Sequence, residues 1–245
     1  MKIAVISGAS QGMGAEFARV LDRYSFDELW LIAKDDGYLD TIASELKTKV
    51  RLFPLDLTKN ESFESIKNEY RIHNVEIMYL VCSAGVGFNG DFESINEKQI
   101  DLMVTLNCCA LSLLIKISEP YFVKGTRVIN IASGSGFLPQ PSFAVYAATK
   151  AYVISLSRAL GHEYKKKGIF FTAVCPGPVD TSFFAGLENV KEYKKKYLIS
   201  AKSVAIGSLK ASLRKKKMYT PTFSMKMVHL ASKILPTSLL LKFYK

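Results

Sequence analysis

Short apolar runs alternate with amphipathic segments along most of the chain. Runs of aliphatic and β-branched residues predict strands near 2–7, 28–33, 49–54, 76–82, 126–132 and 169–175. Apolar positions at helical spacing predict helices near 13–24, 37–47, 60–72, 96–120 and 143–167. This alternation predicts an α/β fold, a doubly wound parallel sheet with helices on both faces. No linker, repeat or low-complexity tract interrupts the pattern, so a single domain over 1–245 is expected.

Four positions that differ from the apolar background lie just past the ends of predicted strands. They are Gly8, Gly85, Ser133 and Pro176. The carboxyl ends of parallel strands meet at one edge of a sheet, where such folds bind their ligands. We therefore expect these four positions to lie close together around a nucleotide.

The first strand leads into a glycine-rich turn, Ser7-Gly8-Ala9-Ser10-Gln11-Gly12-Met13-Gly14, and then into a helix-like segment. Small residues between a strand and a helix let backbone N–H groups approach a pyrophosphate at the helix N-terminus. The alternative interpretation is a tight turn with only a structural role.

Tyr146 and Lys150 are separated by four positions and follow Ser133 by thirteen and seventeen. Residues at this spacing share one face of a helix, and an ammonium beside a phenol favours the phenolate. Such a tyrosine is able to hand a proton to a carbonyl oxygen. The pair alone occurs by chance in many helices, so the interpretation depends on its surroundings.

Taken together, these motifs resemble the short-chain dehydrogenase/reductase family over roughly the first 185 residues. The family's adenine-contacting segment matches Asp56-Leu57-Thr58. Its Asn-Asn-Ala-Gly segment is present as Cys82-Ser83-Ala84-Gly85, with both asparagines replaced. The resemblance implies a Rossmann-like fold and the catalytic residues Asn107, Ser133, Tyr146 and Lys150. It implies the following cofactor-binding residues: Gly8, Ser10, Gln11, Gly12, Met13, Gly14, Lys34, Asp56, Leu57, Ala84, Gly85, Tyr146, Lys150, Pro176, Gly177, Val179 and Thr181.

The resemblance also implies a mechanism, hydride transfer between the nicotinamide and a carbonyl carbon. Tyr146 would exchange the proton with the carbonyl oxygen, and Ser133 would orient and polarise that oxygen. Lys150 would lower the pKa of Tyr146 and hold the nicotinamide ribose, while Asn107 would anchor a water linked to Lys150.

The end of the second predicted strand bears on the choice of cofactor. It lacks the acidic residue that would bind a ribose 2′-hydroxyl, and Lys34 follows it. We therefore expect NADP(H) to be favoured over NAD(H). Neighbouring Asp35 and Asp36 are able to neutralise Lys34, and an ordinary solvated lysine is the alternative.

Aromatic and aliphatic residues are expected around the carbonyl site, and they favour an apolar ketone or aldehyde. Plain core packing is the alternative for each. The segment 180–200 is the expected substrate lid. The candidate residues are Val86, Phe88, Phe137, Phe143, Pro178, Phe183 and Phe184.

Composition excludes several other classes of site. Cys82, Cys108, Cys109 and Cys175 lie in apolar segments without metal-ligand spacing, so buried free thiols and no metal site are expected. No apolar run is expected to reach the length needed to cross a bilayer, and no signal peptide is expected, which favours a cytoplasmic protein.

The C-terminal third is strongly basic. Residues 165–245 carry 17 Lys and Arg against 3 Asp and Glu, whereas residues 1–164 carry 16 against 19. Apolar residues interleave with lysines over 221–245, a basic amphipathic extension typical of peripheral contact with a membrane surface. A solvated face, a subunit contact or attraction of a phosphorylated or CoA-linked substrate are the alternatives. No nucleic-acid-binding module is recognisable, so no nucleic-acid partner is expected.

The sequence thus favours a dehydrogenase or reductase, expected as a homodimer formed through the helices near 96–120 and 143–167. A 3-oxoacyl or hydroxysteroid substrate competes with a broad range of ketones and aldehydes. A non-catalytic NADP-binding regulator and a membrane-surface protein are the other two functional hypotheses.

Overall fold

The computed structural model describes residues 1–185 and 198–242. Up to residue 174 its strands and helices follow one another in the predicted alternation, and further short strands and helices that were not predicted come after it. The strands are β1 Lys2–Ser7, β2 Glu28–Ala33, β3 Val50–Pro54, β4 Glu76–Cys82, β5 Phe122–Ile131, β6 Phe170–Val174, β7 Val179–Asp180, β8 Ile199–Ser200 and β9 Met218–Tyr219. The α-helices are α1 Gly12–Leu21, α2 Asp36–Glu45, α3 Asn60–His73, α4 Glu97–Val104, α5 Leu111–Ser118, α6 Ala144–Glu163, α7 Ser182–Ala185, α8 Ala201–Leu213, α9 Phe223–Ile234 and α10 Thr237–Leu241.

One parallel sheet organises the described part of the chain. Its seven strands have the order β3-β2-β1-β4-β5-β6-β9, and β7 pairs with β8 separately. The chain starts at the centre of the sheet, runs outward to β3, and returns to the other side of β1 as β4. Ser7 and Cys82 are partners at the carboxyl end of this reversal. The predicted α/β architecture is confirmed, and its ligand crevice lies where the strand order reverses.

The central strands are buried on both faces, which explains why they consist of nearly continuous apolar residues. Successive residues of β1 alternate between two cores: Ile3 and Val5 pack on the side of α3, α5 and α6. Ala4 and Ile6 pack on the side of α1, α2 and α8. This double covering holds the carboxyl edge of the sheet rigidly in place.

The predicted helix at 96–120 is interrupted at its centre. A π-helical segment, Thr105–Ala110, joins α4 to α5. Within the continuous helical run Glu97–Tyr121, an 18-residue stretch has a mean hydropathy of 1.8, so by length and composition alone the run is able to cross a membrane. The expectation that no segment has this length was wrong. Its inner face, including Met103 and Leu114, is buried in the protein core, and this burial accounts for its apolar composition.

The described cysteines are all free thiols, but their burial differs. Cys82 and Cys175 are buried, Cys108 is half-buried and Cys109 is exposed. The expectation of four buried thiols was therefore wrong for Cys109, because the outer face of the helical segment from Thr105 to Ala110 points to solvent. Among the described residues, no group of His, Cys, Asp and Glu is arranged to hold a metal ion.

Candidate active site

The glycine-rich turn joins β1 to α1 at the centre of the crevice. Gly8 and Gly12 have φ values of +66° and +57°, a left-handed conformation that favours glycine. A Cβ atom on Gly8 would lie 2.7 Å from the backbone nitrogen of Ala84. A Cβ on Gly14 would overlap the carbonyl oxygen of Gly8. Only glycine at these positions allows the turn to fold against the start of the helix.

The N-terminus of α1 is free to bind an anion. Gln11 at the N-cap makes no side-chain capping bond, and no acidic residue lies in the first turn. The first N–H groups of a helix lack partners within the helix, so they and the helix dipole favour a phosphate. The turn therefore fits the pyrophosphate of a dinucleotide. Two contacts close its outer side: Ser182 Oγ donates to Gln11 Oε1 at 2.9 Å, and Thr181 packs near Gly12.

Ser7 connects the turn to the neighbouring strand end. Its Oγ accepts hydrogen bonds from the backbone N–H groups of Ser83 and Ala84 at 3.1 Å and 3.3 Å. These bonds hold the backbone of Ser83 and Ala84 against the turn. The sequence pattern did not identify Ser7 as a site residue, because its role depends on a strand 76 residues away.

The π-helical segment aims Asn107 into the site. Asn107 is buried, its Oδ1 accepts from the Val86 N–H at 2.9 Å, and its Nδ2 donates to the Val86 carbonyl at 2.8 Å. Nδ2 also lies 3.1 Å from Thr149 Oγ1 on α6. Asn107 thus ties the loop after β4 to the helix that carries Tyr146 and Lys150.

Ser133, Tyr146 and Lys150 meet at the carboxyl end of β5. Ser133 lies two residues past the strand, and its Oγ accepts from the Ser135 N–H at 3.1 Å. Tyr146 is buried on the first turn of α6. Lys150, one turn later, donates from Nζ to the Ile131 carbonyl at 3.0 Å. Its Nζ lies 5.5 Å from the centre of the Tyr146 ring.

Burial shifts the pKa values of this pair in opposite directions. It raises the pKa of Tyr146 above the ordinary phenol value, and a hydrogen bond with Ser133 acts to lower it. It lowers the pKa of Lys150 to about 8. We expected the Lys150 ammonium to lower the pKa of Tyr146, but in this structure burial dominates instead. Tyr146 is therefore held in its protonated form at neutral pH.

Aromatic rings border Tyr146. Phe143 stacks on it at a centroid distance of 4.3 Å, and Phe183 lies at 5.5 Å. Phe137 contacts His229 at 4.5 Å rather than Tyr146. Phe88 is half-buried on the loop after β4. The side chain of Phe184 and residues 186–197 of the predicted lid lie outside the described part of the chain.

Lys34 has a partner that the sequence did not suggest. Its Nζ lies 3.1 Å from Asp56 Oδ2, whereas Asp35 caps α2 by accepting from the Tyr38 N–H. Asp56 Oδ1 also accepts from the N–H and hydroxyl of Thr58. Burial acts to raise the pKa of Asp56, but these hydrogen bonds and Lys34 outweigh it and lower that pKa to about 2.

Helix α9 covers the site from the C-terminal part of the chain. Met225 packs so closely that a Cβ on Gly134 would lie 2.7 Å from its sulfur, and it also lies beside Gly177. His229 contacts Phe137, and burial, followed by Lys233 and Arg158, lowers the pKa of His229. No motif in the sequence marks Met225 and His229, which lie within the basic C-terminal extension at 221–245.

Comparisons with known proteins agree with this geometry. A family model described as short chain dehydrogenase matches residues 2–192. An uncharacterized oxidoreductase of Staphylococcus epidermidis is 30% identical over 189 residues, 76% of this chain and 82% of that protein. Human very-long-chain 3-oxoacyl-CoA reductase is 30% identical over 185 residues, 71% of this chain. The match spans 58% of the human protein's length.

Two solved structures share the architecture over nearly the whole chain. A short-chain dehydrogenase from Sphingobium yanoikuyae in complex with NADPH has a TM-score of 0.82 at 26% identity, covering 99% of this chain and 96% of that one. A bulky-bulky ketone specific alcohol dehydrogenase from Comamonas testosteroni has a TM-score of 0.79 at 26% identity, covering 99% and 94%.

Proposed function

This chain belongs to the short-chain dehydrogenase family, and from that premise we propose that it is an NADP(H)-dependent reductase of apolar ketones or aldehydes. As a member of the family it is an oxidoreductase that acts on CH–OH and C=O groups with a nicotinamide cofactor. The main support for carbonyl reduction is that Ser133, Tyr146 and Lys150 lie together beside a glycine turn that fits a pyrophosphate.

When bound, the cofactor supplies or accepts the hydride. Tyr146 holds the proton that the carbonyl oxygen takes up in reduction, and its raised pKa keeps that proton in place at neutral pH. The Ser133 hydroxyl, which already hydrogen-bonds with Tyr146, orients and polarises the same oxygen. The Lys150 ammonium stabilises the tyrosinate that remains after proton transfer and holds the nicotinamide ribose. Asn107 fixes the position of the loop at Val86 relative to α6 through its hydrogen bonds to both.

The preference for NADP(H) is supported by the position of Lys34. Its side chain is 80% exposed at the end of β2, and its only described ion pair is with Asp56. An exposed pair of this kind contributes little, so Lys34 is free to exchange the carboxylate for a 2′-phosphate. The solved NADPH complex of the Sphingobium relative supports the same choice.

An apolar substrate is supported by the rings around Tyr146. Phe143 and Phe183 offer flat apolar surface within 4.3–5.5 Å of the tyrosine ring. The bulky ketones named for the Comamonas relative are of this class. Phe137, Phe88 and Phe184 stay predicted substrate contacts.

A 3-oxoacyl thioester is the second candidate substrate. A cavity of about 230 Å³ between β9 and α9 is lined by Lys216, Met218, Tyr219, Thr220, Lys226 and His229. Its cations suit the phosphates of coenzyme A, the carrier named for the human relative. If this is the substrate, a 3-oxoacyl-CoA will have a lower KM than the matching acyl-pantetheine thioester, and Lys216→Gln will remove the difference.

The test of function is NADPH oxidation with a panel of apolar ketones, aldehydes and 3-oxoacyl thioesters. We expect Tyr146→Phe to lower turnover by about a hundredfold or more, because it removes the proton donor. NADPH binding, followed by thermal shift, should stay within about twofold of the parent protein, because the phenylalanine preserves the ring packing.

A matched control, Tyr152→Phe, removes the hydroxyl of an exposed tyrosine on the same helix and should leave turnover unchanged. Normal turnover by Tyr146→Phe would contradict the proposed mechanism. NADPH binding without turnover of any compound would favour the non-catalytic regulator instead.

A further inference from the structure

The most apolar stripe of helix α9 faces away from the protein instead of toward its core. Phe223, Met227, Leu230 and Ile234 lie at i, i+4, i+7 and i+11 and form the outer stripe of the helix. All four are exposed, Phe223 by 76% and Ile234 by 69%. The opposite face carries Met225 and His229, which pack on the candidate site. An apolar stripe that faces away from the protein is available to a partner.

The apolar surface continues beyond the helix. Leu235 and Leu239 are also exposed, at the turn into α10 and within it, whereas Leu240 is buried against the protein. Lys226 and Lys233 lie along one border of the outer stripe, and Lys242 follows α10; all three are exposed. An apolar face bordered by lysines is the arrangement that lies in a membrane interface, with the cations at the headgroups.

Charge distinguishes between possible occupants of this face. Residues 193–245 contain 13 Lys and Arg and no Asp or Glu. None of the lysines and arginines in the described range 198–242 forms an ion pair. A second copy placed face to face on the outer stripe would bring two such cationic surfaces together. An anionic lipid surface would instead complement both the charge and the apolar residues.

From this arrangement we infer that α9 and α10 form a docking surface for an anionic phospholipid bilayer. The outer stripe enters the interface, and Lys226, Lys233 and Lys242 contact the headgroups. The inner face of α9 stays on Gly134 and Gly177, so docking brings the substrate side of the site close to the lipid. This inference holds whether or not the protein turns over a substrate. That the protein is cytoplasmic and binds a membrane peripherally stays a prediction.

The test is sedimentation of the full chain with vesicles of phosphatidylcholine alone, or with a quarter of the lipid replaced by phosphatidylglycerol. We expect binding to the anionic vesicles to exceed binding to neutral vesicles by about tenfold or more, and to weaken at high salt. Lys226→Gln with Lys233→Gln should lower the partition constant roughly 25-fold, at about fivefold for each lysine. Lys59→Gln with Lys98→Gln, two exposed lysines elsewhere, is the matched control.

A second pair of variants tests the apolar part. Phe223→Ser with Leu230→Ser should lower binding to anionic vesicles by about tenfold or more, because less apolar surface enters the interface. Ile72→Ser with Phe92→Ser removes two exposed apolar residues elsewhere and should leave binding unchanged. Thermal unfolding checks that every variant folds.

Three results would overturn the inference. They are no binding to anionic vesicles, equal binding to both vesicle types, and equal loss in the control variants. A lipid-free dimer that Phe223→Ser with Leu230→Ser dissociates, in a chain that binds no vesicles, would assign the stripe to a second copy instead.

Discussion

Among single residues, burial sets the protonation states of Tyr146 and Lys150, the pair to which we assign proton transfer. Desolvation favours the neutral form of each group, so the tyrosine keeps its proton while the lysine loses its own more easily. At neutral pH the lysine is still charged. The pair therefore starts as a neutral phenol beside an ammonium, the state required to protonate a carbonyl.

The lowered pKa of Lys150 predicts a pH limit on reduction. Above about pH 8 the ammonium deprotonates, so kcat/KM for carbonyl reduction should fall roughly tenfold per further pH unit. The measurement is initial rates from pH 6 to 10 with NADPH. A profile that stays flat to pH 9.5 would contradict the role given to the ammonium.

A stability measurement separates this effect from alkaline unfolding. Between about pH 8 and the ordinary lysine pKa of 10.5, the folded state binds fewer protons at Lys150 than the unfolded state does. The contribution of this group to the free energy of unfolding therefore rises with pH in that window. Activity should fall while this contribution grows.

The proposed preference for NADP(H) rests on Lys34. Lys34→Ala should raise KM for NADPH by about 10-fold to 100-fold, because a charge-assisted contact to the 2′-phosphate is lost. KM for NADH should change little. Lys47→Ala, at an exposed lysine beyond the other end of α2, is the control. Equal changes for both cofactors would show that Lys34 does not contact the phosphate.

At the scale of elements, the helical run from Glu97 to Tyr121 shows how a local irregularity serves the site. Its apolar spacing predicts a regular helix, but the segment Thr105–Ala110 is π-helical. The wider turn directs Asn107 inward to the Val86 backbone and to Thr149. Wide turns of this kind often occur at functional sites.

The start of β2 is held by a buried carboxylate. Glu28 is 3% exposed at its side chain and accepts from Trp30, Arg51 and Lys49. Burial alone would raise its pKa, but these hydrogen bonds outweigh burial and lower that pKa to about 2. The ion pairs join the first residue of β2 to the neighbouring strand.

Glu28→Gln should lower the free energy of unfolding by about 2–3 kcal/mol at pH 7, because Arg51 loses its charged partner. Urea unfolding measures this change. The difference from the parent protein should shrink as pH falls from about 4.5 to about 2, where the native carboxylate is protonated. Glu64→Gln breaks an exposed pair with Lys67 and should cost less than about 1 kcal/mol. A similar loss in both variants would contradict the importance of burial.

At the scale of the whole molecule, a homodimer through the helices near 96–120 and 143–167 stays a prediction. Their outer faces expose Val104, Leu113 and Tyr152, and Ser112 hydrogen-bonds with Tyr152 at 2.8 Å. These exposed residues lie on the outer faces of α4, α5 and α6, whose inner faces are buried, an arrangement suited to a second copy. The surface is separate from the outer stripe of α9.

Val104→Glu with Leu113→Glu should convert the predicted dimer to a monomer, because four carboxylates would be buried at a two-fold contact. Light scattering after size exclusion measures the mass. Ile72→Glu, at an exposed residue on α3, should leave the mass unchanged. A monomeric parent protein would contradict the prediction, whereas its membrane docking would be unaffected.

Local patterns in the amino-acid sequence were enough to predict the sheet and the edge of it at which the candidate site lies. Strands such as Lys2–Ser7 and Glu28–Ala33 were predicted nearly to the residue, because strands buried on both faces are continuously apolar. The motifs that follow them were expected at one edge, and the structure places Gly8, Gly85 and Ser133 there. These predictions depend on residues close together in the chain, and the spacing between such residues can be read directly from the sequence.

Contacts between residues far apart in the chain could be seen only in the folded protein. The two-residue strand Met218–Tyr219 is too short for a pattern, and it forms because β6 offers it a free edge. The pairing of Lys34 with Asp56, the packing of Met225 on Gly134 and the rise in the pKa of Tyr146 likewise depend on the folded chain. Contacts and desolvation at such separations arise from the whole fold, so no local periodicity encodes them.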